Sequence, residues 1–176
     1  MTEAIKKNGI NFGIILGIFL IIKTVIMYAV SLDLFLNSWL GFLRMLVIIG
    51  LGIFAVVKAK HALNSYITFK EAFTAYFITI VIGILCYTLI IIALFNVIDT
   101  EAGQALNDKF LEAKLEMMKM FSNDSKLMRE TIEQDKKMPT LSIVSQLMGL
   151  GVSIIGYSLV GLIVAAIMKK NKPEFQ

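Results

Sequence analysis

The sequence predicts an all-α integral membrane protein, an antiparallel bundle of four transmembrane helices with an amphipathic helical hairpin between helices 3 and 4. Three observations carry this prediction. Hydrophobic residues fill 57% of the 176 positions, more than the core of a soluble domain of that length needs. They gather in four runs, near Ile10–Leu32, Trp39–Val57, Ala72–Ile98 and Leu141–Met168, each close to or beyond the ~20 residues that cross a ~30 Å hydrocarbon layer. Between the third and fourth runs stands one long charged stretch, Asp99–Pro139, with 16 of the 30 charged side chains. Lipid offers the backbone no hydrogen-bond partners, so apolar runs of this length must be helices. Short connections make successive helices antiparallel neighbours. The chain reads as one membrane domain over residues 1–176, with the hairpin 99–139 outside the bilayer.

The first run follows Lys6 and Lys7 and ends near Ala29-Val30-Ser31, which loosely resembles a signal-peptide cleavage site. Its apolar part exceeds the ~7–15 residues of such a peptide, and Lys23 interrupts it, so it is read as a retained helix. Gly9, Gly13 and Gly17 form a small-residue stripe on this helix, and Ser145, Gly149 and Ser153 form a similar one on the fourth. Such stripes let helix backbones approach closely, either within the bundle or between copies in a homo-oligomer. Thr68 stands where it can cap the third helix, with Glu71 three residues later as in a capping box, and Phe69 and Phe73 flank the interface. Cys86 stands alone among apolar neighbours and reads as a packing residue. Both prolines lie outside the apolar runs, which leaves the helices unbroken.

In the charged stretch, Leu106, Phe110, Ala113, Met117 and Met120 are spaced +4, +3, +4, +3 and share one helix face. Ser122-Asn123-Asp124-Ser125 is a turn and N-cap cluster, and a shorter helix is expected over about 125–137. Glu133 precedes Lys137 by four residues, the favourable order for an ion pair on that helix. The two amphipathic faces either cover each other or present Leu106, Phe110, Met117 and Met120 as a docking surface, for which flexible thioethers are well suited.

Orientation follows from the basic residues. Lys6 and Lys7, then Lys58, Lys60 and Lys70, then Lys169, Lys170 and Lys172 belong to one side. The first connection has only Asp33, and the long third one has nine acidic against seven basic residues. Both termini are therefore expected to be cytoplasmic, with the hairpin on the far side.

Two ionisable residues interrupt the spans, and each is a functional hypothesis by default. Lys23 lies about nine residues from the outer end of its helix, roughly 13 Å deep at ~1.5 Å per residue, and Arg44 lies about five residues inside the second. Asn96 and Gln146 are expected at comparable heights, so Lys23, Arg44, Asn96 and Gln146 form a candidate lipid-headgroup site with Asp33 as the nearest counter-charge. The plainer account lets Lys23 and Arg44 snorkel to the headgroups or pair with Asp33. The sharper one is a pocket for an anionic lipid or a polyprenyl phosphate.

Other functions find little in the residues. The net charge of +4 is too diffuse for a nucleic-acid footprint. His61 has no partner at metal-ligand spacing, and the glycines lie in apolar helices, not in a phosphate-binding loop. No catalytic residue, metal or cofactor is expected.

The chain resembles a bacterial membrane family, the domain of unknown function 4199. The resemblance covers nearly the whole length. It rests on Lys7-Asn8-Gly9, on Tyr66-Ile67-Thr68-Phe69-Lys70-Glu71-Ala72-Phe73, on the Glu/Met/Lys-rich hairpin after Asn96-Val97-Ile98-Asp99, and on Gly161–Lys170 followed by Pro173-Glu174-Phe175. It implies four spanning helices with a large third connection and no established activity. It also implies an Asp-Pro type of turn where this chain has Asp99-Thr100. The expectation is a non-enzymatic, multi-pass inner-membrane protein. It would be a subunit or accessory protein of a cell-envelope assembly, docking a membrane or periplasmic partner, or alternatively a binder of anionic lipid through Lys23 and Arg44.

Overall fold

A computed structural model describes residues 3–121 and 125–170. The turn residues Ser122, Asn123 and Asp124, and Lys172 with Pro173-Glu174-Phe175, lie outside the described residues. Four helices are long and apolar enough to cross a membrane. They are α1 (Glu3–Val30), α2 (Ser38–Ala62), α3 (Phe69–Ala93, prolonged by a π turn Leu94–Ile98) and α6 (Ile143–Met168). Between α3 and α6 stand α4 (Thr100–Phe121) and α5 (Ser125–Lys137).

The helices overrun the hydropathy boundaries where the backbone keeps its hydrogen bonds into the polar zone. α1 begins at Glu3 and includes Lys6 and Lys7, and α2 continues to Ala62 past Lys58 and Lys60. Their starts are fixed by side-chain caps that satisfy free amide groups. Asn37 accepts from the amides of Trp39 and Leu40, Thr68 and Glu71 close the capping box on α3, and Ser142 accepts from Ser145 N. Leu141 therefore precedes α6, buried, with its amide donating to Asn107 Oδ1 at 2.8 Å.

α3 is the hub, packed by α1, α2 and α6. It is apolar all round, as a helix surrounded by others must be, and buries Ala72, Ala75, Tyr76, Thr79, Ile80, Gly83 and Ile84. α1 rests on it through its glycines: a Cβ at Gly9, Gly13 or Gly17 would come within 3.0 Å of Ile78, 2.7 Å of Ile82 and 2.8 Å of Cys86. That stripe is thus an intramolecular seam, and its register advances in the same direction on both helices. Registers with α2 and α6 run the opposite way. Gly52 meets Tyr76 and Arg44 meets Tyr87, while Gly161 meets Tyr76 and Leu141 meets Asn96.

The stripe expected on α6 makes no close approach within the bundle. A Cβ on Gly149 would meet nothing within 4 Å, and Ser145 and Ser153 are only half-buried. α6 instead makes its close approach at Gly161. There and at Gly52, an added Cβ would fall 2.6 Å and 2.5 Å from the fully buried Tyr76 ring.

One end of the molecule is drawn together by Lys60 Nζ donating to Met168 O at 3.0 Å, and by paired backbone bonds between Ile67 and Lys170. The other end has its own small apolar cluster of Ile91, Leu94, Phe95, Leu106 and Leu141. The π turn matters here. Asp99 N donates to Leu94 O five residues back, at 2.8 Å, which widens the last turn of α3 before the chain reverses into α4.

Candidate functional site

α4 is fastened across the end of the bundle by three side-chain contacts. Asp99 caps it by accepting from Ala102 N at 2.9 Å, and the same carboxylate accepts from Tyr28 Oη of α1 at 2.6 Å. Lys109 pairs with Asp33, which lies in the 3-10 turn Leu32–Phe35 between α1 and α2. Asn107 holds Leu141. The hydrogen bond from Tyr28 and the capping amide of Ala102 hold the Asp99 carboxyl below the usual carboxylate range. The bonded Lys109 ammonium does the same for Asp33. Both charges are thereby committed to the latch.

Gly103 brings the two backbones into contact, since a Cβ there would sit 2.3 Å from Phe95 O. Leu106 then enters the apolar cluster and is fully buried. The inward stripe of α4 continues through Phe110, Lys114 and Met118 and not through Ala113, Met117 and Met120. Lys114 decides this turn of the helix, donating to Asp135 at 2.9 Å and to Thr140 Oγ1 at 2.8 Å. The hairpin is joined by that pair and by Thr131 donating to Met118 Sδ, while α5 buries no residue. Met118, Met128 and Ile132 are half-buried, and among the described residues Glu133 and Lys137 form no ion pair. Of the four residues expected to dock a partner, Leu106 is core and Phe110 is half-buried. Met117 and Met120 are 58% and 82% exposed.

Beneath α4 lies a cavity of about 240 Å³, lined from every side of the bundle. α1 supplies Lys23, Thr24 and Met27, α2 supplies Gly41 and Arg44, and α3 supplies Tyr87 and Ile91. Leu34 and Phe35 of the 3-10 turn, Phe110 of α4, and Thr140, Leu141 and Gln146 close it. Lys23 and Arg44 carry like charges into the same cavity, and both are half-buried. Arg44 Nη1 donates to Tyr87 Oη at 2.7 Å and its guanidinium stands 4.9 Å from the centre of that ring. The Lys23 ammonium has no hydrogen bond or ion pair among the described residues. Among the described residues no acidic side chain lines the cavity.

The structure brings together three of the four residues expected there and places one elsewhere. Asn96 lies outside the cavity and donates to Leu141 O at 2.9 Å, fixing the start of α6 to the π turn. Gln146 lines the cavity while its Nε2 donates to Thr140 O at 2.9 Å. Asp33 is not the counter-charge of Lys23 or Arg44, because Lys109 takes it. Sequence reasoning missed Tyr87, Thr24 and Gly41. Tyr87, a phenol in an apolar run, was a findable signal, since such a hydroxyl usually finds a partner.

A family model described as a protein of unknown function, DUF4199, matches residues 11–170. No curated protein and no solved structure matches the chain.

Proposed function

The chain belongs to the DUF4199 family of proteins of unknown function, and on that premise we propose that it is a non-enzymatic, multi-pass membrane protein that binds an anionic headgroup between Lys23 and Arg44. One observation carries the reading: two cations line one cavity that has no acidic residue among its described lining. A bare cation at membrane depth is costly, and such residues usually mark a ligand or ion site. An anion seated between the two would remove their mutual repulsion and satisfy their unused donors. Lys23 and Arg44 share walls with Phe110, Thr140 and Leu141, which favours a site roofed by α4 over stems that snorkel outward.

The opposed registers of α2 and α6 against α3, and the matched register of α1, support an antiparallel four-helix bundle carrying a helical hairpin. Lys6, Lys7, Lys58, Lys60, Lys70, Lys169 and Lys170 belong to helix ends and connections away from α4. By the positive-inside tendency this distribution favours a reading with both termini in the cytoplasm of a bacterium and the hairpin in the periplasm.

The test is purification in mild detergent followed by mass spectrometry of retained lipids, for the wild type and for Lys23→Gln and Arg44→Gln. Anionic lipid enriched over neutral lipid in the wild type and depleted in both variants is the expected result. An identical lipid profile in all three proteins would sink the reading.

A second reading, docking within a cell-envelope assembly, is favoured by the far end of α4, where Met117, Met120 and Phe121 are 58%, 82% and 87% exposed. It predicts that Met120→Glu with Phe121→Glu abolishes cross-linking to a protein partner without affecting membrane insertion.

A further inference from the structure

We propose that the cavity selects a phosphate monoester, with two negative charges, over a phosphodiester with one. The inference rests on the anion-binding reading and adds the class of headgroup. It begins with a count of charge. Lys23 and Arg44 contribute two positive charges to the lining, and among the described residues none contributes a negative one. The nearby carboxylates are engaged elsewhere, Asp33 by Lys109 and Asp99 by Tyr28 and the α4 amides. An occupant that leaves this low-dielectric site neutral must therefore be a dianion. A monoester carries roughly −1.5 to −2 at neutral pH and presents three terminal oxygens, whereas a diester presents two and leaves one cation uncompensated.

The donors match that count. Lys23 has three N–H groups, none of them bonded within the described residues, and Arg44 has used one of its five on Tyr87. The Tyr87 oxygen accepts from Arg44, which leaves its own proton available as a further donor. The volume also matches. About 240 Å³ is less than the ~300–1,000 Å³ of sites that enclose a whole drug-sized ligand. It holds a headgroup and leaves any acyl chains among the lipid-facing helices.

The same chemistry is carried by a monoester lipid and by a soluble phosphate, so both are tested. Full-length protein, stripped of lipid in detergent, is titrated with phosphatidic acid, with phosphatidylglycerol, and with inorganic phosphate alone, and thermal stabilisation is followed. The expected result is binding of phosphatidic acid on the order of tenfold tighter than phosphatidylglycerol, lost in Lys23→Gln and Arg44→Gln. Lys23→Arg keeps the charge and should keep the preference, which separates loss of charge from loss of fold. If inorganic phosphate binds as tightly as phosphatidic acid, with the same sensitivity to both variants, the monoester class stands and the source is soluble. Equal binding of the two lipids, lost in the glutamine variants, overturns the monoester preference but leaves anion binding intact. Absence of binding, or binding unchanged by both variants, overturns the two together.

Discussion

At Gly103 a methyl group has nowhere to go, because its position is 2.3 Å from the carbonyl oxygen of Phe95 and that oxygen is backbone. Gly103→Ala must push α4 off the π turn, at a cost of about 1–3 kcal/mol by the usual scale of overpacking. A lowered melting temperature in detergent checks this. Gly149→Ala, with open space around it, is the matched control and should be neutral. Tyr76 poses the opposite case. Its ring fills the gap between Gly52 and Gly161, yet its buried hydroxyl has no partner among the described residues. An unpaired buried hydroxyl costs about 1–3 kcal/mol, so Tyr76→Phe should be neutral or stabilising by thermal unfolding. Gly52→Ala and Gly161→Ala, which drive a Cβ into that ring, should destabilise. Neither glycine was singled out by its spacing in the sequence. Each depends on which helix lies opposite, and one chain read in order does not contain that.

At the scale of elements, the attachment of α4 is expected to respond to pH. Asp33 and Asp99 both have carboxyl pKa values lowered in the folded protein, by Lys109 and by Tyr28 with the Ala102 amide respectively. A group with a depressed folded pKa binds more protons when unfolded, so its contribution is complete above the ordinary carboxylate value near ~4. That contribution is lost as pH falls through the lower, folded value. Amide exchange in residues 100–110 should therefore accelerate under acid conditions before exchange in α3 does. Asp99→Asn, which keeps the side-chain carbonyl but removes the charge, should shift that onset to milder pH. The sequence foretold a helix here and a shorter one after it. It misjudged the face after Phe110 because apolar spacing alone cannot weigh Lys114, whose bonds to Asp135 and Thr140 turn that residue inward.

For the molecule as a whole, the cavity creates tension between stability and binding. Lys23 has no compensating partner among the described residues, and a lysine at membrane depth is unfavourable by about 2.5–3.5 kcal/mol on insertion scales. Lys23→Met should therefore raise the melting temperature of the lipid-stripped protein, by on the order of 1–2 kcal/mol once partial exposure is discounted. The same substitution should remove stabilisation by anionic lipid. A purely structural lysine would give the reverse, with lower stability and unchanged lipid dependence.

The sequence by itself determined the four apolar helices, the capping box at Thr68 and Glu71, the polar stretch between α3 and α6, and the family. The helices and the polar stretch follow from local composition and from the demand that backbone groups in lipid pair within their own helix, the capping box from residue spacing, and the family from the resemblance of particular motifs. Only the tertiary structure decided which partners the charged and small residues meet. It assigned Asp33 to Lys109, Asn96 to Leu141, Leu106 to the core, and the Gly9/Gly13/Gly17 stripe to α3. It also left Lys23 and Arg44 facing a shared cavity. The physical reason is that hydropathy fixes a residue's depth, while the rotation of each helix about its axis is set by contacts across the bundle, and a side chain's partner depends on both.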